Sequence, residues 1–97
     1  MLLYVAAKFN SLKEAVRALY KLQTADTENA YISPEIMFAH IKGRVEETIF
    51  SELCIDVLSA CDKLVILGEI TDEISSEIDF ARLVGMEVEK VENHFSI

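Results

Sequence analysis

CDKLVILGEITDEISSEIDFARLVGMEV, residues 61–88, decides the fold. Leu64-Val65-Ile66-Leu67 is a short, unbroken apolar run, ended by Gly68 and the polar stretch Glu69-Ile70-Thr71-Asp72. A helical pattern then begins, with Ile74, Ile78 and Ala81 on one stripe and Phe80, Leu83 and Val84 beside it. Gly85 stops that helix, and a second β-type run follows from Met86 to Val91. Strand, loop, helix, strand is the βαβ unit of a parallel sheet. A run that is apolar on both faces suits a central strand covered by helices on both sides.

Working outward, Leu2 to Ala6 reads as a first strand and Ala7-Lys8-Phe9-Asn10 as the loop after it. Ser11 and Glu14 have the spacing of a capping box. The helix they open carries Leu12, Ala15, Val16, Leu19 and Leu22 on one face, and the polar segment from Thr24 to Asn29 ends it. Ala30 to Ser33 is a short second strand stopped by Pro34, and Glu35 to Gly43 is an irregular connection or a short helical turn. A long helix starts at Val45, with Val45, Ile49, Leu53, Val57 and Ala60 at steps near four. The tail, Glu92 to Ile97, carries no clear pattern. Tyr4, Tyr20 and Tyr31 fall in these patterns as core or rim residues.

The sum is βαβαβαβ within one domain, residues 1–97. That is a small α/β, flavodoxin-like, three-layer fold with three main helices and a four-stranded, mostly parallel sheet of order 2-1-3-4. In this order the chain turns back once, between the first and third strands. Ligands in such sheets bind at that switch point, beyond the carboxyl ends of the strands. Two loops flank it here, Ala7-Lys8-Phe9-Asn10 and Gly68 to Asp72, and Lys8 is their one basic residue.

Composition narrows the partners. A net charge of −8 repels phosphate backbones and anionic membranes, so neither nucleic acid nor membrane is expected. A hydrophobic fraction of 52% in 97 residues argues for a packed core with apolar surface left for another subunit. One helix on one sheet face also leaves that face short of cover, which points to a homodimer or higher homo-oligomer. The longest apolar stretches fall short of the ~18 residues of a membrane span, and the segment from Met1 to Ala7 lacks the basic leader of a signal peptide. Cys54 and Cys61 stand ~10 Å apart along a helix, beyond the ~7 Å that a disulfide spans. Two unpaired cysteines suit the cytoplasm. His40 and His94 are isolated, and Glu69, Asp72, Glu73 and Glu77 match no cation-loop spacing, so no metal and no cofactor is expected.

A set of short motifs adds a resemblance. Ile32-Ser33-Pro34 with Met37-Phe38, then Cys61 to Gly68, then Glu77-Ile78 with Ala81 and Gly85, resembles the nucleoside 2-deoxyribosyltransferase-like superfamily, in particular its small bacterial and phage branch. The resemblance implies a flavodoxin-like fold and a site for a nucleoside or nucleotide. It implies that Glu77 is a nucleophile which attacks the anomeric carbon, forms a glycosyl ester and is released by a second acceptor. A helix start would keep that carboxylate ionised. Ala7, Lys8, Phe9, Gly68, Thr71 and Glu73 are the candidate ligand-binding residues of the two loops.

The chain also departs from that pattern. Ala7-Lys8 stands where relatives carry Gly-Pro, Glu73 where they carry a glycine, and Cys54 where active relatives place an aspartate. A carboxylate at Glu73 hinders a phosphate at that helix end. Local sequence alone makes Glu77 a solvated acid, Cys54 a small core residue and Asp62 a cap at a helix end or strand start. Two further functions therefore stand beside N-glycosidic bond cleavage or exchange. One is a nucleoside- or nucleotide-binding module without turnover, and the other is a protein-interaction scaffold.

Overall fold

The computed structural model of the protein describes residues 1–91. The tail from Glu92 to Ile97, His94 included, lies outside the described residues. The elements are β1 (Leu2–Ala7), α1 (Leu12–Ala25), β2 (Ala30–Ile32), α2 (Pro34–Met37), α3 (Glu47–Ser59), β3 (Lys63–Leu67), α4 (Asp72–Leu83) and β4 (Glu87–Val91). The fold is α/β, with a four-stranded, all-parallel sheet in the order β2-β1-β3-β4. α1, α3 and α4 are its three main helices.

β1 and β3 lie at the centre because both are apolar on both faces. Leu3 to Ala6 and Leu64 to Ile66 are all buried. They pair from Leu3↔Lys63 to Ala7↔Leu67, so the switch point opens beyond Ala7 and Leu67. Asp62 fixes where this pairing starts. Its carboxylate accepts from the Leu2 backbone N–H at 2.7 Å, and its own N–H donates to the Leu2 carbonyl at 2.8 Å. The strand-start role of Asp62 is thus the one observed.

The two sheet faces are unequal. Tyr4, Ala6, Leu64 and Ile66 point to the face covered by α3 and α4, where Leu58, Ile74, Ile78 and Ala81 complete the larger core. Val5 points to the other face and packs with Leu19 and Leu22 of α1 and with Ile36 of α2. That second face is not a bare apolar surface where α1 ends. Val88 packs into the larger core, so Glu87 and Glu89 of β4 point to the α1 side, where both pair with Lys63, at 3.0 Å for Glu87. Charge, not apolar area, occupies that part of the sheet.

Two helix faces differ from the sequence expectation. On α1 the buried residues are Ala15, Ala18, Leu19 and Leu22, while Leu12 and Val16 are exposed. The small alanines let the helix lie close to the sheet, which turns the Leu12–Val16 edge outward. α3 starts at Glu47 and buries Cys54 and Leu58, not the row through Val45 and Ile49. On α4 the buried stripe is Ile74, Ile78 and Ala81 as read, but Leu83 and Val84 face solvent. Of the tyrosines, Tyr4 is fully buried, Tyr31 half-buried and Tyr20 exposed. Gly85 takes φ +76°, the left-handed conformation that ends α4 at low steric cost.

Candidate functional site

Glu77 stands on the sheet-facing stripe of α4, between Ile74 and Ala81, so packing carries its carboxylate towards the sheet. The residue beneath it is Tyr4 of β1, held between Ile32 of β2 and Leu64 of β3. The Tyr4 hydroxyl donates a hydrogen bond to Glu77 Oε2. A buried hydroxyl needs a partner, and a half-buried carboxylate needs a donor. Each supplies the other.

Burial pushes the Glu77 carboxyl above its ordinary range, the Tyr4 hydrogen bond pulls it down, and the nearby charges of Glu35 and Glu73 push it up. Burial first, then the Glu77 charge, raises the Tyr4 phenol far above its usual value, so Tyr4 remains a donor at any physiological pH. Glu77 sits in the second turn of α4, whose N-cap is Thr71. The helix dipole acts mainly within the first turn. Tyr4, not the helix start, is therefore the group that favours the ionised form of Glu77.

Cys54 of α3 adjoins the same pair and is buried with a free thiol. Burial, then the Glu77 charge, pushes that thiol up to about 11, so it stays protonated and un-nucleophilic. Cys61 is also free and buried, and burial likewise pushes it up to about 11.

An open cleft of about 280 Å³ lies beyond the carboxyl ends of β1 and β2. Phe9, Asn10, Ser11 and Leu12 form one wall, and Glu35, Ala39 and Lys42 the other. Lys42 forms an ion pair with Glu35. Glu35 links the two parts of the site. It lines the cleft and also acts through space on the Glu77 carboxyl and the Cys54 thiol. Two residues before it, Ser33 is buried, and its hydroxyl is without a hydrogen-bond partner among the described residues.

Of the residues read from the sequence, Phe9 lines this cleft, whereas Glu77 does not line it and forms the part-buried pair with Tyr4. Ala7, Lys8 and Gly68 do not line it. Lys8 is exposed. The Thr71 hydroxyl is used as the α4 cap, accepting from the Ile74 N–H at 3.3 Å. Glu73 is exposed in the first turn of α4 and acts on Glu77 by charge. Tyr4, Glu35 and Lys42 were not singled out. Tyr4 had a readable signal: an acid on a buried helix stripe calls for a donor, and Tyr4 is the hydroxyl in the central strand that faces it. Glu35 and Lys42 had none, because the segment after Pro34 shows no periodicity that fixes their direction.

Among the described residues no group of three or more metal-ligating side chains occurs, and no helix is long and apolar enough to cross a membrane. Compared with known proteins, the chain matches no family model, no curated protein and no solved structure.

Proposed function

We propose that this protein processes nucleosides or nucleotides in the cytoplasm, cleaving or exchanging an N-glycosidic bond with Glu77 as nucleophile. The observations that support the reading are the Tyr4–Glu77 hydrogen bond and Glu35, which both lines the cleft and acts by charge on Glu77. A nucleophilic carboxylate must be fixed in direction and ionised when substrate arrives. Tyr4 does both, because it holds one oxygen and stabilises the charge. The other oxygen attacks the anomeric carbon as the bond to the base breaks. The departing nitrogen keeps that electron pair and takes up a proton from solvent. Water or a second base then opens the ester, and Glu77 leaves as carboxylate. Phe9 gives the cleft an aromatic face for the base, and Glu35 brings to Glu77 the second carboxylate that position 54 lacks.

A second reading is a binding module that has lost turnover. The Cys54 thiol favours it, because a protonated thiol beside Glu77 supplies no acid–base chemistry at neutral pH. Base release from a panel of deoxynucleosides separates the two. With Glu77 as nucleophile, Glu77→Gln lowers turnover on the order of a thousandfold or more and leaves ligand affinity near that of the parent. Activity retained in Glu77→Gln refutes the catalytic assignment. Binding without base release in either protein establishes the module.

A further inference from the structure

The outward edge of α1 is unlike the rest of this acidic molecule. Leu12, Val16 and Tyr20 follow one another at steps of four, with 49%, 49% and 69% of their surface exposed. Beside them Lys13, Arg17 and Lys21 form a second row at the same spacing, all three exposed. Neither row is satisfied among the described residues. None of these cations forms an ion pair among the described residues, and α1 carries one carboxylate, Glu14. Three cations gathered on one helix stand out in a chain of net charge −8.

The complement lies on the opposite side of the same molecule. α3 carries Glu47, Glu52 and Asp56 and no cation. Ile49, 45% exposed, and Leu53 form an apolar row beside Glu52 and Asp56, both exposed. The charged row follows the apolar row by one residue on α1 and precedes it by one on α3. Laid face to face, apolar against apolar, the two helices bring cations opposite acids when they run parallel. α1 packs on one sheet face and α3 on the other, so one molecule cannot make this contact with itself. An antiparallel α1–α1 contact would set three cations against three cations and is disfavoured.

We propose that a second copy of this chain docks on α1 through its α3. The contact has an apolar centre of Val16 and Tyr20 against Ile49 and Leu53, and a charged flank of Arg17 and Lys21 against Glu52 and Asp56. It is heterologous, since each copy has one surface of each kind, so assembly closes into a ring or continues as a stack. The charged β4 end of the sheet takes no part.

The test is sedimentation of the intact chain across a concentration series, with thermal melting as a check on folding. Concentration-dependent assembly that weakens as salt rises is expected. Arg17→Glu and Glu52→Lys each place like charge across the contact and weaken association by about tenfold or more. Neither side chain forms an ion pair or hydrogen bond among the described residues, so both variants keep the parent melting temperature. Mixing the two singly changed proteins restores a strong contact, because the new acid on α1 of one meets the new cation on α3 of the other. A mass of one chain up to millimolar concentration overturns the proposal. So does assembly that neither variant weakens, or a mixture that associates no better than its components. Tyr20→Ala must also weaken association; if it leaves assembly intact, the apolar centre is elsewhere.

Discussion

Removing one oxygen from the centre of the site, by Tyr4→Phe, separates a built carboxylate site from a chance contact. Tyr4 is fully buried and its ring packs in the larger core, so phenylalanine keeps the shape and removes only the donor to Glu77. A hydrogen bond to a charged group contributes about 1.5–3 kcal/mol, and one between neutral groups about 0.5–1.5 kcal/mol. The bond therefore favours ionised over protonated Glu77 by about 1–1.5 kcal/mol. The variant therefore raises the Glu77 pKa further above its already elevated value. Carboxyl carbon NMR of Glu77 against pH measures that shift directly.

Stability must report the same quantity. The folded pKa of Glu77 lies above its ordinary 4.5, so folding favours the protonated form. That contribution is fully present below the unfolded pKa and is lost as pH rises through the folded pKa. Tyr4→Phe moves the upper end of this window to higher pH. Its destabilisation is therefore about 0.5–1.5 kcal/mol in acid and about 1.5–3 kcal/mol at neutral pH. Urea unfolding at both pH values gives the difference, which must match the NMR shift. An unchanged or lowered Glu77 pKa, with equal destabilisation at both pH values, refutes Tyr4 as the group that holds the carboxylate charged.

Three other perturbations test neighbouring parts of the argument. Glu73→Gly, in the first turn of α4, should improve binding of a nucleoside monophosphate relative to the free nucleoside, as side-by-side titrations would show; tighter monophosphate binding by the parent contradicts it. Thr71→Ala removes the hydroxyl that accepts from the Ile74 N–H and should cost about 0.5–2 kcal/mol in urea unfolding, with no change in the fold. Ala15→Leu inserts three carbons where α1 meets the sheet and should destabilise by about 1–3 kcal/mol, whereas Val16→Leu, one residue on and exposed, should be nearly silent.

The sheet order was legible because it rests on patterns that burial enforces. Leu64 to Leu67 and Leu2 to Ala6 are apolar on both faces, and only a central parallel strand between helix layers tolerates that. Asp62 was legible as a cap at a helix end or a strand start, and its bond to the Leu2 N–H decides for the strand start. The orientation of α1 was not. Leu12, Ala15, Val16, Leu19 and Leu22 form a sound helical face in one dimension. The choice between burying Val16 and burying Ala18 depends on how closely the helix approaches β1, and that distance is a property of the packed pair.

The site divides along the same line. Glu77 was singled out by the resemblance alone, since local sequence reads it as a solvated acid; its register with Ile74 and Ala81 is what turns it towards the sheet. Its electrostatic setting was not legible, because the groups that define it come from three elements: Tyr4 in β1, Glu35 in α2 and Glu73 in α4. Of these, Tyr4 lowers the pKa while Glu35 and Glu73 raise it, so the ionisation of Glu77 is a balance of opposed effects. Lys42 bears on that balance through Glu35, since their ion pair offsets part of the Glu35 charge that Glu77 meets. Under the proposed function, a nucleoside entering the cleft between Phe9 and Lys42 would meet this ion pair. If it draws Lys42 away from Glu35, the like charge facing Glu77 grows and proton uptake becomes easier. If it leaves the pair closed, Glu77 stays closer to the ionised form that attack requires. The ionisation of Glu77 thus depends on a Glu35–Lys42 pairing distant in the chain, which strand and helix patterns do not record.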